Sequence, residues 1–139
     1  MIESFYDIYT DGACKKGLGT WAFVILNDEG NECIHESSGV VHTTDSLRME
    51  ITAAINALST IEPGKKVRIN TDSKILIEFF ENVRVVPEKK PNRDLWLELA
   101  NKIASIKFEW RWVKAHSGNI WNERCDDLCV IARETYENY

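Results

Sequence analysis

SFYDIYTDGACKKGLGTWAFVIL, residues 4–26, carries the pattern that sets the fold class. Its first part, SFYDIYT (4–10), alternates ring and aliphatic groups with polar ones, the period of a strand. Its last part, TWAFVIL (20–26), is a denser apolar run. Lys15, Lys16, Gly17 and Gly19 between them mark a turn, so the stretch reads as two paired strands. Residues 31–41, bounded by Asp28-Glu29-Gly30 and Thr43-Thr44-Asp45, extend the pair into a three-stranded meander. The His, Glu and Ser content of that third strand predicts one wet face.

Downstream the period changes. Leu47, Ile51, Ala54, Ile55 and Leu58 recur at three and four, which predicts a helix from Ser46 to Thr60, capped by Asp45 or Ser46 and ending near Glu62-Pro63-Gly64. KVRINT (66–71) reads as a short strand, and Ser73 caps a helix through Ile75, Leu76, Phe79 and Phe80. Residues 83–93, with two prolines, read as a linker; residues 94–105 read as a helix and residues 106–113 as a strand. AHSGNIWN (115–122) reads as a loop before a last helix with Cys125, Leu128, Cys129 and Ala132 on its apolar side. The order of elements predicts one mixed α/β sheet with helices over its faces.

At 139 residues the chain is expected to form a single domain, 1–139, since two would each lack a core. A composition of 44% hydrophobic and 28% charged residues excludes a disordered or fibrous protein. No stretch is apolar enough to span a membrane and the start lacks signal-peptide character, so the expectation is a cytoplasmic protein without membrane attachment. The four cysteines have no metal-knuckle spacing and read as free thiols, mostly in the core. Net charge is −5, yet the sign is uneven: residues 1–62 hold three basic and ten acidic side chains, and residues 84–116 hold eight basic and four acidic. A nucleic-acid partner is therefore not excluded by the total.

Four acids stand at notable places: Asp11 after the first strand, Glu50 within the first helix, Asp72 after KVRINT, and Asp126 at the start of the last helix. Converging carboxylates suit hard divalent cations, and two such ions clamp the attacking and leaving oxygens in phosphodiester hydrolysis. Taken singly, each acid has a plainer reading as a turn residue, a cap or a solvated helix residue. Asp11 and Asp72 gain weight as a pair, because both end strands expected to be sheet neighbours.

Read together, YTDGA (9–13), RMEITAAINAL (48–58), TDS (71–73) and WVKAHSGNIWNERCDDL (112–128) resemble the signature blocks of type 1 ribonuclease H, in order and spacing, over nearly the whole chain. The resemblance implies a ribonuclease-H-like fold with a five-stranded mixed sheet, three strands antiparallel and two parallel, flanked by helices. It implies an enzyme that hydrolyses the RNA strand of RNA–DNA hybrids endonucleolytically, leaving 5'-phosphate and 3'-hydroxyl ends. Asp11, Glu50, Asp72 and Asp126 resemble the family's metal-binding catalytic carboxylates, expected to hold two Mg2+ ions with substrate, with Mn2+ as a substitute. His116 matches a position that moves protons or helps product leave, and Glu123 one that modulates metal occupancy. Substrate contacts are expected from Gly12, Ala13, Cys14 and Ser46 toward RNA 2'-hydroxyls and from Thr44, Arg48 and Ser73 toward DNA phosphates. Arg48 has a competing reading as a structural ion-pair donor.

The chain also departs from the pattern. The CKKGLGT turn is short, and Ser46-Leu47 replaces a common asparagine pair, removing hydrogen-bonding capacity at Leu47. Lys89, Lys90 and Arg93 stand as a small remnant of the basic protrusion some relatives carry. With no hybrid-binding module expected ahead of the first strand, hybrid binding is expected to be weak and salt-sensitive and the protein to act as a monomer. Among the tryptophans, Trp121 is the expected exposed loop ring, the other four reading as core or sheet-face residues. Two other functions fit parts of the pattern: a ribonuclease-H-like DNA nuclease or recombinase core, and a catalytically silent hybrid-binding module.

Overall fold

The computed structural model describes residues 5–27, 29–43, 45–62, 64–82 and 85–139, residue 82 by its backbone alone. The chain builds β1 (Tyr6–Lys15), β2 (Leu18–Leu26), β3 (Cys33–His42), α1 (Ser46–Leu58), β4 (Lys66–Thr71), α2 (Lys74–Asn82), α3 (Arg93–Ala104), β5 (Lys107–Trp112) and α4 (Ile120–Glu137). The five strands form one sheet in the order β3-β2-β1-β4-β5. β1 pairs antiparallel with β2, and β2 with β3; β4 runs parallel to both β1 and β5. The expected mixed sheet and order of elements are both present.

The apolar density of TWAFVIL follows from burial on both sides. Phe23 and Ile25 face the core formed with α1, α2 and α3, while Ala22, Val24 and Leu26 face the core formed with α4. Ile8 and Tyr9 divide between the same two cores. A strand covered on both faces has no wet side to alternate toward.

Most boundaries fall within two residues of the sequence expectation, and two differ by more. β1 continues five residues beyond Thr10, because the hairpin turn is only Lys16-Gly17, with φ of 52° and 76°. Positive φ at both turn residues matches the twist of the hairpin and lets the ladder run from Ile8–Ile25 out to Lys15–Leu18. Asp11 therefore lies inside β1, opposite Ala22, rather than after the strand. α4 begins at Ile120, six residues before Asp126, because the Asn119 side chain accepts hydrogen bonds from the N–H groups of Trp121 (3.1 Å) and Asn122 (3.0 Å). The segment 120–122 is thus helix, not loop. Trp121 is half-buried against the α4 core, and Trp112 is the exposed tryptophan.

All four cysteines are free, Cys125 and Cys129 buried and Cys14 and Cys33 half-buried. Among the described residues no helix is long and apolar enough to cross a membrane.

Candidate active site

The site forms where β1, β4 and α1 meet. Gly12 decides how closely they approach: a Cβ there would overlap the backbone of Met49 and Glu50, so only glycine lets α1 lie directly on β1. This contact sets Glu50, in the second turn of α1, beside Asp11. Asp72 arrives from the other side, since β4 is the parallel neighbour of β1 and ends at Thr71. Carboxylate oxygens of Asp11, Glu50 and Asp72 lie within 4.8 Å of one another.

Burial and mutual repulsion raise all three acids. Asp11 is pushed up to about 7 by loss of water, with Asp72, Asp126 and Glu50 adding repulsion and the Gly12 N–H (2.9 Å) opposing it. Glu50 is likewise pushed up to about 7, by burial first; the Ser73 hydroxyl opposes this and the charges of Asp72 and Asp45 reinforce it. Burial also raises Asp72, opposed by a hydrogen bond from Asn122 and by the positive field of His116, while Asp126 adds to the rise. Asp126 sits in the second turn of α4, close enough to raise both Asp11 and Asp72 but outside the tight triad.

Gathering three half-buried carboxylates costs free energy unless protons or a cation offset the charge. Oxygen donors this close, converging on one point, fit a hard divalent ion better than a softer metal that favours nitrogen or sulfur.

The other expected residues scatter around this centre. His116 lies in the exposed 113–118 loop with φ of 54°, and its charge acts on Asp72. Ala13 and Cys14 continue β1, and the Cys14 thiol donates to the Thr43 carbonyl at 2.8 Å. Ser46 is exposed at the start of α1. Glu123 is exposed in the first turn of α4. Thr44 lies outside the described residues.

Three of the residues expected to contact substrate make contacts within the fold. Ser73 is buried, its hydroxyl accepting the Leu76 N–H at 3.3 Å as the α2 cap and bonding Glu50. Arg48 makes a bidentate pair with Asp94, at 3.1 and 2.8 Å, and bonds Asn92 at 3.2 Å. Lys90 sits over the rings of Phe79 and Trp96, and neither it nor the exposed Lys89 lines the cavity beside the acids.

Two residues were missed in the sequence. Asn122 is buried at 5% exposure and supports the Asp72 carboxylate; it lies four positions before Asp126, a same-face helical spacing that would have flagged it. Trp112 donates its indole N–H to the Asp72 carbonyl at 3.3 Å.

A family model described as RNase H matches residues 3–134. The chain belongs to the ribonuclease H family. It is 38% identical over 152 residues to the ribonuclease H of Treponema denticola, covering 91% of this chain and 95% of that protein. Its fold is similar to that of the RNase H1 of the archaeon Halobacterium salinarum, with a TM-score of 0.79 at 16% identity over 94% of this chain and 98% of the other. It is similar also to LC11-RNase H1, solved in complex with an RNA/DNA hybrid, with a TM-score of 0.76 at 19% identity over 94% and 97% of the two chains. The chain is thus a ribonuclease H family enzyme in which Asp11, Glu50 and Asp72 gather at one sheet position.

Proposed function

We propose that this ribonuclease H acts as a single catalytic domain that cuts the RNA strand of RNA–DNA hybrids internally, leaving 5'-phosphate and 3'-hydroxyl ends. The observation that carries this reading is the convergence of Asp11, Glu50 and Asp72 from three different elements, with Asp126 beside them. A relative of similar fold was solved with an RNA/DNA hybrid, which supports the choice of substrate.

Asp11, Glu50 and Asp72 would hold divalent cations, with Asp126 completing the set. A bound Mg2+, or Mn2+ in its place, would supply Lewis-acid stabilisation of the charge developing at phosphorus and would make water a better nucleophile there. The protein's own part is alignment. Gly12 brings Glu50 against Asp11, Ser73 and Asn122 orient Glu50 and Asp72 by hydrogen bonds, and Asp126 adds negative charge at the rim. His116, exposed beside Asp72, can exchange a proton between the site and solvent and accompany the anionic product outward. Choice of a ribose strand falls to the backbone of residues 12–14 and to Ser46, where a 2'-hydroxyl offers a donor and an acceptor.

The test compares one sequence as end-labelled RNA–DNA hybrid, RNA duplex, DNA duplex and single-stranded RNA, with magnesium and then manganese, against wild type and Asp11→Asn. Internal cuts confined to the RNA of the hybrid, and reduced more than about 100-fold in Asp11→Asn, are expected because the variant keeps shape but loses a charged ligand. Cuts in pure DNA would instead support a DNA-nuclease core, and absence of cuts with either ion a silent binding module.

A further inference from the structure

Beside the acids lies an open cavity of about 530 Å³, lined by Glu50 and Asp72 together with Lys74, Trp112 and Lys114. A polyanionic strand brought to four carboxylates needs cations close to its path. Lys74, the first residue of α2, lies two positions beyond Asp72, and its ammonium sits 4.5 Å from the centre of the Trp112 ring. Trp112 is the last residue of β5 and is 45% exposed, the one exposed ring among the five tryptophans. Its indole N–H is bonded to the Asp72 carbonyl at 3.3 Å, so the ring that seats Lys74 is tied to the backbone of a metal-site acid.

A second cavity, of about 220 Å³, is lined by the same pair with Glu78 and Glu81. Lys74 and Trp112 thus line both cavities, the first together with Lys114, Glu50 and Asp72. A phosphate backbone that approaches the acids therefore meets Lys74 and Lys114 in the lining of the first cavity.

We propose that Lys74 and Trp112 form a phosphate-binding subsite for the nucleic-acid strand held at the acids, with Lys74 contacting a phosphodiester near the cut and Trp112 positioning its ammonium. This rests on the hybrid-cleavage reading above. A ring over which a lysine sits restricts a long, flexible side chain, so less freedom is lost when the phosphate arrives. An ammonium suits the task as a compact point charge that accepts a phosphate from several directions.

The experiment measures hybrid cleavage at several substrate and KCl concentrations for wild type, Lys74→Gln, Trp112→Phe, Trp112→Leu and the Lys74→Gln/Trp112→Leu double variant, each checked for thermal unfolding. Lys74→Gln is expected to raise KM about fivefold, leave kcat within about twofold, and reduce the slope of log KM against log salt by about 1. Trp112→Phe, which keeps a ring beneath Lys74 but loses the indole N–H bond to the Asp72 carbonyl, is expected to raise KM less than Trp112→Leu. Trp112→Leu is expected to raise KM like Lys74→Gln but add nothing in the double variant, because both changes remove the same contact. If Trp112→Leu does not fold, Lys74→Gln, a solvent-side change, carries the test. A wild-type enzyme that cuts hybrids with Lys74→Gln matching it in KM and salt slope overturns the subsite alone. Additive effects in the double variant overturn the positioning role of Trp112. A wild-type chain that cuts no hybrid overturns the hybrid reading and with it the ligand of this subsite.

Discussion

Asp11 and Glu50 retain protons up to about pH 7 in the metal-free fold, far above the ordinary range of carboxylates. Between about pH 4 and pH 7 the native state thus binds more protons than the unfolded chain, and stability must fall as pH rises through that window. Thermal unfolding in EDTA is expected to show a melting temperature that drops between pH 5 and pH 8, with Asp11→Asn flattening the drop and melting higher than wild type at pH 8. Parallel curves for the two proteins would show that repulsion at Asp11 is not what the pH dependence reports. Adding magnesium at pH 8 should then raise the wild-type melting temperature more than that of the variant, since the ion replaces the missing protons. At this scale the acids were legible in the sequence because each block carries its own acid at fixed spacing. Spacing alone puts Asn122 on the Asp126 face of α4, but its bond to Asp72 and that of Trp112 depend on what β5 and α4 bring against Asp72, and that is a tertiary fact.

Elements hold the acids in place, and Gly12 is where one element bears directly on another. Gly12→Ala would force α1 away from β1, as a Cβ meets the backbone of residues 49 and 50 rather than a flexible side chain. Urea unfolding is expected to show a loss of about 2–3 kcal/mol. Cleavage should fall further than that loss explains, because Glu50 moves relative to Asp11; a variant with native stability and activity would refute the close contact. A second joint links the starts of α1 and α3. Asp45 caps α1 at the Arg48 N–H (3.2 Å) and accepts from Asn92 (2.8 Å), while Arg48 pairs with Asp94. Asp94 is well exposed, so solvent weakens this pair. A double-mutant cycle on Arg48→Ala and Asp94→Ala is expected to give a coupling of about 0.5–1 kcal/mol in unfolding free energy, with zero coupling ruling out the structural role of Arg48. Periodicity made these elements legible as a set, whereas their ends were set by features it does not report. The β1–β2 ladder carries polar residues 11–15 as strand, and one Asn119 cap moves the start of α4 ahead of Trp121.

The whole molecule must bring a polyanion to an acidic site while carrying a net charge of −5. Four of its seven arginines are already engaged: Arg48 with Asp94, Arg68 with Glu109, Arg124 with Glu36, and Arg133 with the carbonyls of Lys15 and Leu18. Among the described residues Lys74 and Lys114 are the cations that line the cavity at the acids, so few phosphates are neutralised there. Each neutralised phosphate contributes a slope of about −0.9 to log affinity against log salt. Two or three contacts predict a slope of about −2 to −3, with weak binding at physiological salt. Fluorescence anisotropy of a labelled hybrid with Asp11→Asn in magnesium, from low to physiological KCl, measures this without cleavage. A slope near −6 or steeper would mean that a broader basic face touches the hybrid. The stretch carrying Lys89, Lys90 and Arg93 is then the first to neutralise: if Lys89→Gln/Lys90→Gln restores a shallow slope, the hybrid extends across α3, and if it does not, the added contacts lie elsewhere on the sheet.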